Sequence, residues 1–519
     1  MKSCEETFAS IAKCIKKEWK IAFLATLILG LFIHMPVLVS DIPNHDGLDS
    51  MYFNQNMITS GRWFLMIACG FSSFYNLPWL IGVFGILILS MTAVILTELL
   101  EIRSTPLIIL ISGLLVSFPA LTSTFAYVFT LDGYMIGMLL AVLAVLVVGK
   151  HPRGFLWGAI CLAFSMGTYQ AYLPFAILLC IYQIIVIAIG EGNIKEKIKN
   201  SFNYLYMGAM GTVLYYVILQ VLLKVQGKEL DTYQGINSMG NAGGINVESI
   251  LASVISMYKD FVSFTINGNI VFNNFFSILA YVVLIMATGY VVVGLMIQRK
   301  WWKNVFFFAI IAMVIVGVPI ATNVILIISP NVNYHLLMRY QWVLFPILMI
   351  AFVGRYGNQV KNTIITEWLV ILTAFVCVFN YAVTDNIGYA NLQKRYEKTY
   401  AYCVRLLDRI EQTPGYYQGI PIAMVGVVGY NPFPVTDITQ DVTGNMIGIS
   451  GDTLLYQPDN YELFMKHYLG ATLNFLSTEE VQDIYYSEEY IAMESFPAET
   501  SVQILDGVLC VKTENVGRD

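Results

Sequence analysis

Charged residues are scarce: Asp, Glu, Lys and Arg make up 12% of the 519 residues, against about 25% in an ordinary soluble domain. With 57% of the chain hydrophobic, that shortage excludes a water-soluble globule, which needs solvated side chains over most of its surface. The eight cysteines show no C-x-x-C pair and no metal-ligand spacing, so a zinc module is not expected. A phosphate loop, a dinucleotide fingerprint and a repeat of fixed period are missing too, which argues against nucleotide-binding and solenoid folds. The period-2 alternation of a transmembrane barrel is also lacking.

What is present is a series of long apolar runs, many near the roughly 20 residues that cross a bilayer as helix. Eleven can be marked: 21–40, 77–98, 106–123, 132–149, 154–168, 171–189, 202–223, 272–297, 304–328, 339–354 and 363–383. Lipid offers no partner to unpaired amides, so these runs are helices. The first follows Lys13, Lys16, Lys17 and Lys20 but is too long for a signal peptide and has no small-residue cleavage site, so it is expected to stay as an anchor. Of the 21 Lys and Arg before position 385, 16 fall on the N-terminal side of the membrane if eleven spans are threaded. That asymmetry places the N-terminus inside and everything after 385 outside.

The expected architecture is an all-α polytopic membrane bundle over 1–384, with outer loops 41–76 and 225–271, followed by a small extracytoplasmic α/β domain over 385–519. This tail holds 19 acidic and 8 basic residues, a balance that excludes nucleic acid as its partner. Its pattern reads as helix from Gly388 to Gln412, a buried strand from Pro421 to Val428, helices over 460–470 and 478–487, and strands near 502–513. Cys403 and Cys510 both lie here, as a disulfide or as two thiols. Loop 225–271 reads as a Gly/Asn-rich stretch, Gly235 to Gly244, then an amphipathic helix from Val247 to Phe264.

Ionisable residues gather at the outer ends of the runs. The first outer loop carries Asp41, Asn44-His45-Asp46, Asp49 and Gly61-Arg62-Trp63, which could supply a general base and a phosphate clamp. The plain alternative is that Asp and Asn are turn formers there. Asp132, at the start of the fourth run, suits a helix cap. Tyr169-Gln170-Ala171-Tyr172 and Asn333-Tyr334-His335 with Arg339-Tyr340-Gln341-Trp342 suit the interfacial belt, or else a site in which His335 and Arg339 contact a lipid-linked phosphate.

The acidic loop followed by Gly61-Arg62, the stretch ending in Asp132-Gly133-Tyr134 with Met135 and Met138, and Tyr169-Gln170-Ala171 together resemble the serotype-converting O-antigen glucosyltransferase family, membrane enzymes of GT-C architecture. The family pattern has Gly-Arg-Pro where this chain has Gly61-Arg62-Trp63, which leaves the family acid open among Asp41, Asp46 and Asp49; Asp46 is chosen by its distance from Gly61-Arg62. The resemblance implies a hexosyltransferase that moves a sugar, glucose by family, from a polyprenyl-phosphate carrier in the cytoplasmic membrane to an O-antigen or cell-wall glycan outside. Asp46, Asp49 and Asp132 are then the catalytic acids, and Arg62, His335, Arg339, Tyr169 and Gln170 bind the donor. Outer carboxylates can hold Mg²⁺ or Mn²⁺, but no ligand spacing marks a metal site. A flippase or transporter of lipid-linked saccharides is the alternative; it calls for buried acids and repeat symmetry, and neither is visible.

Overall fold

The structure is a computed structural model that describes residues 3–513 apart from 50, 52–53, 71–75, 233–246, 302–304, 330–331, 362, 426–441, 445, 451–453, 456–457 and 478. The Gly235 to Gly244 stretch and the end of the strand expected over Pro421 to Val428 lie outside the described residues. The chain forms two compact units: Met1–Val39, Asn54–Asn386 and Asn445–Ile447 make the first, and Ser40–Phe53, Ile387–Gly444 and Gly448–Asp519 the second.

In the first unit seven helices are long and apolar enough to cross a membrane: Lys17–Leu38, Pro78–Leu99, Val128–Lys150, Gln170–Ile189, Ile194–Gln226, Phe275–Arg299 and the first part of Thr363–Glu411. Thr105–Ser117 and Pro119–Phe125 form an eighth, bent by 48°. The bend has a local cause, because Phe118 precedes a proline and takes extended angles, φ −70° and ψ 126°. Gly154–Thr168 and Ala309–Thr322 are apolar but shorter. The run expected over 339–354 opens as 3₁₀ turns and becomes α-helix only over Leu344–Tyr356. Phe32, Phe275 and Trp368 are 78, 70 and 69% exposed, an outward apolar display that suits lipid rather than water. Inside, hydroxyls of Ser90, Thr92 and Thr97 donate to carbonyls four residues back.

Two ionisable groups of this unit are satisfied locally. His34, wholly buried, bonds its Nε2 to the Val116 carbonyl at 2.8 Å and stacks on Phe125 at 4.0 Å. Glu98 sits at a helix end, bridged by Lys16 (2.7 Å), Lys150 (3.1 Å) and the Trp19 indole (2.9 Å), so it is an interfacial ion cluster rather than an acid deep in a span. Helices approach closely where side chains vanish: a Cβ on Gly158 would lie 2.7 Å from the Ala144 carbonyl oxygen, the small-residue contact common between membrane helices.

The second unit is α/β. Strands β1 (Pro421–Val425), β2 (Asn474–Phe475), β3 (Val502–Leu505) and β4 (Val508–Lys512) form one sheet in the order β2-β1-β4-β3. β1 runs parallel to both neighbours, and β3 and β4 form a hairpin. Asp506-Gly507 closes that hairpin with φ of 48° and 83°, the left-handed pair a two-residue turn demands. Tyr402, Cys403, Leu406 and Ile410, at helical spacing, pack on Ile422, Met424, Leu509 and Val511. The helix expected to start at Gly388 has no separate start: with no proline between 363 and 411, Thr363–Glu411 runs as one helix of 49 residues. Cys403 and Cys510 are buried free thiols.

Leu48, 1% exposed, belongs to this same core. Its burial is one of the contacts that fold Ser40–Phe53, the acidic half of the first outer loop, with the second unit.

Candidate functional site

The Gly61-Arg62 turn is built by local chain reversal. Met57 and Arg62 pair as an isolated bridge, a 3₁₀ turn covers Ile58–Ser60, and Gly61 takes φ 77°, an angle costly for a residue with a Cβ. Two helices clamp the turn. The Gln170 amide donates to the Ser60 carbonyl at 2.9 Å and to the Tyr215 hydroxyl at 3.1 Å, and that hydroxyl donates to the Gly61 carbonyl at 3.0 Å. Beyond it, the Phe64 amide donates to the Gly167 carbonyl at 2.8 Å, and Trp63 covers Gly167 so closely that a Cβ there would fall 2.5 Å from the indole.

The clamp aims Arg62 at two tyrosines. Its Nη1 donates to the Tyr134 hydroxyl at 3.2 Å, and its guanidinium lies 4.8 Å from the Tyr169 ring centre, a cation-π distance. Tyr134 and Tyr169 stack at 4.8 Å. Burial pushes the Tyr169 hydroxyl up, against the opposing pull of Arg62, so the phenol stays neutral. Asp132 is fully buried in the first turn of its helix. Thr130 occupies the cap position expected of it, and one Asp132 carboxylate oxygen accepts from the Gly133 amide at 2.9 Å. Burial, reinforced by the Asp132 carboxylate, raises the Cys69 thiol. Arg62, Tyr134 (two residues along the helix from Asp132), Tyr169 and Gln170 are therefore brought together from three separate stretches of chain.

A second cluster in the same unit surrounds Arg339, which is 7% exposed. Its two terminal nitrogens donate to Asp260 at 2.6 and 2.8 Å, and its Nε to the Tyr334 carbonyl at 3.1 Å. The guanidinium also lies 3.7 Å from the Tyr334 ring centre. Asp260 belongs to the helix Val247–Asn267, the amphipathic helix foreseen in loop 225–271, which packs Phe261 and Phe264 on Trp342. Burial and then Arg339 hold the His335 imidazole below the usual histidine range. Tyr334 joins the clusters electrostatically, since it adds to the upward shift of Tyr169.

Within the second unit, His45 and Asp46 meet at 3.2 Å, and the Asp46 amide is held by the Asn44 side chain at 3.1 Å. Burial, with Asp46 and Asp459 adding repulsion, raises the Asp49 carboxyl. Burial lowers His45, offset by Asp46 and reinforced by Arg395. Asp41 is raised by burial, partly countered by a hydrogen bond from Tyr468. Among the described residues no group of three His, Cys, Asp or Glu gathers as metal donors.

Sequence reasoning missed Tyr215 and Asp260. Tyr215 lies mid-helix in an aromatic-rich run and carries no local signal. Asp260 had a weak one, an acid between Met257, Phe261 and Phe264 on the packed side of an amphipathic helix.

These features define a polytopic helical membrane protein whose bundle builds a polar, aromatic site around an arginine. Residues 35–353, more than half the chain and the stretch containing every site residue above, match the family described as Glucosyl transferase GtrII; the chain belongs to that family and is thereby a membrane glycosyltransferase. No curated protein and no solved structure matches it.

Proposed function

We propose that the protein transfers glucose from a polyprenyl-phosphate carrier to a surface glycan such as O-antigen, on the outer side of the cytoplasmic membrane. The observation that carries the reading is the convergence of Gly61-Arg62, Asp132-Gly133-Tyr134 and Tyr169-Gln170 on one guanidinium. A preorganised cation beside where a leaving phosphate gathers charge is the device that glycosyl transfer from a lipid phosphate needs. The acceptor hydroxyl oxygen attacks the anomeric carbon, its proton passes to a carboxylate base for which Asp46, then Asp49 or Asp132, is the candidate, and the carbon–oxygen bond to phosphate breaks with the electron pair leaving on the phosphate.

Arg62 takes the phosphate. Arg339, its fork committed to Asp260, contributes to donor binding mainly by anchoring the helix Val247–Asn267, and His335 meets the donor as a neutral hydrogen-bond partner. The basic residues of the short loops on the N-terminal side support an outward-facing site. The test is incubation of the purified protein with radiolabelled polyprenyl-phosphate glucose and a glycan acceptor. Label appearing in the glycan, and lost in Arg62→Ala, is the expected result; label that only changes leaflet in vesicles assigns the protein to lipid translocation instead.

A further inference from the structure

Away from these clusters, the helices Gln170–Ile189, Phe275–Arg299, Val305–Thr322 and Leu344–Tyr356 leave a cavity of about 350 Å³ between them. Its lining is almost wholly apolar, with Leu178, Val292, Val314, Phe345 and Met349 among the walls. Ala188, Ile189 and Trp301 also line a second cavity of about 280 Å³, whose remaining walls include Gly190, Glu191, Lys197 and Arg299. The two adjoin at those three shared residues, which places a cationic mouth beside that end of the apolar slot.

The mouth is held in shape by backbone. Lys197 Nζ donates to the carbonyls of Ala188 (3.1 Å) and Gly190 (2.5 Å), and Arg299 donates to the Ile189 carbonyl (2.7 Å) and to Gln359 (2.6 Å). Lys16, Arg103, Lys150 and Arg355 each meet a glutamate, but among the described residues neither Lys197 nor Arg299 has a carboxylate partner. Glu191 offsets one of the two charges at most. The opposite end of the slot, at Leu344 and Phe345, has no cation in its lining.

From this asymmetry we infer a binding site for an anionic glycerophospholipid, with its head-group phosphate at Lys197 and Arg299 and one acyl chain in the slot. Basic pockets between membrane helices select anionic lipids because each cation near the surface adds to head-group attraction while the apolar slot takes the tail. The site is separate from Arg62 and stands whether or not the transferase reading does.

The full-length protein in detergent is mixed with dioleoyl phosphatidylglycerol, dioleoyl phosphatidylcholine or undecaprenyl phosphate, and retained lipid is read by native mass spectrometry. At about fivefold per cation, phosphatidylglycerol should be retained about twenty-fivefold better than phosphatidylcholine. Lys197→Gln with Arg299→Gln should bring it down to the phosphatidylcholine level, and Val314→Trp, which fills the slot, should lower both lipids. Equal retention of the two glycerolipids by the unmodified protein, an undiminished preference in the double variant, or undiminished retention of both lipids by Val314→Trp overturns the inference. Displacement of phosphatidylglycerol by equimolar undecaprenyl phosphate also overturns it, since the slot would then belong to an isoprenoid. Should the double variant not fold, the unmodified protein and Val314→Trp still decide.

Discussion

Arg62 earns its importance from geometry that a lysine cannot reproduce. The guanidinium reaches the Tyr134 hydroxyl with one nitrogen while its plane addresses the Tyr169 ring, and an ammonium offers neither the fork nor the plane. Arg62→Ala should lower turnover by about 10²- to 10³-fold, the usual loss for a single preorganised donor to developing charge. Arg62→Lys should recover only part of it; single-turnover assays on both variants, with helicity unchanged by circular dichroism, check this. Asp46→Asn should cost about 10²- to 10⁴-fold if Asp46 is the proton acceptor, and near-normal transfer by that variant removes it from the mechanism. Asp49 invites a stability test. Its folded pKa is raised by burial, Asp46 and Asp459, so its favourable contribution is present below the unfolded value of about 3.9 and is lost as pH rises through the folded value. Asp49→Asn should therefore stabilise the fold at pH 7, by up to about 1 kcal/mol for so exposed a cluster, read as a higher melting temperature, and leave stability unchanged at pH 3.5. At this scale the sequence was legible where partners are neighbours, as for His45 and Asp46. It was silent where they are not, as for Asp260, because 79 residues of chain separate it from Arg339.

Among the elements, the ones that position Arg62 do so by leaving out side chains. Gly167→Ala would drive a methyl into the Trp63 indole and Gly133→Ala one into the Cys69 sulfur, 2.4 Å from the ideal Cβ. Each should destabilise the protein by about 1–3 kcal/mol, the range for overpacking, and Gly167→Ala should also cut transfer, because Trp63 adjoins Arg62. Thermal melts alongside activity check both. The helix Val247–Asn267 depends on its ion pair in another way. Arg339 is nearly buried, so Asp260→Ala strands a charge and should cost about 3 kcal/mol. Asp260→Leu combined with Arg339→Met should restore most of that stability, and a double-mutant cycle in which the two changes simply add would show that the pair does not couple. Apolar runs made the helices legible, since lipid imposes both length and composition. The continuity of Thr363–Glu411 was hidden by a change of composition near Gly388 that looks like a domain start but contains no helix breaker. The attachment of Ser40–Phe53 was hidden because its partners are distant in sequence: Leu48, for one, enters a core assembled from residues more than 350 positions away.

For the molecule as a whole the decisive quantity is the parity of its crossings, which sets the side of the membrane on which the acidic tail lies. The seven long helices and the bent pair become eleven crossings if Gly154–Thr168, Val305–Thr322 and Leu344–Tyr356 also span, each being short for a bilayer of about 30 Å. Short helices can be matched by local thinning of the membrane at modest cost, and a Gly154–Thr168 that failed to span would strand Lys195, Lys197 and Lys199 on the opposite side from Lys13, Lys16 and Lys17, against the positive-inside tendency. An odd number of crossings after Lys195 puts Tyr486, 68% exposed in the second unit, on the face opposite to it. In a cysteine-free background, Tyr486→Cys should react with a membrane-impermeant maleimide added to intact spheroplasts, while Lys195→Cys should react only after permeabilisation. Labelling of both from outside, or of neither, would mean an even number of crossings between Lys195 and Tyr486, against the eleven-span threading.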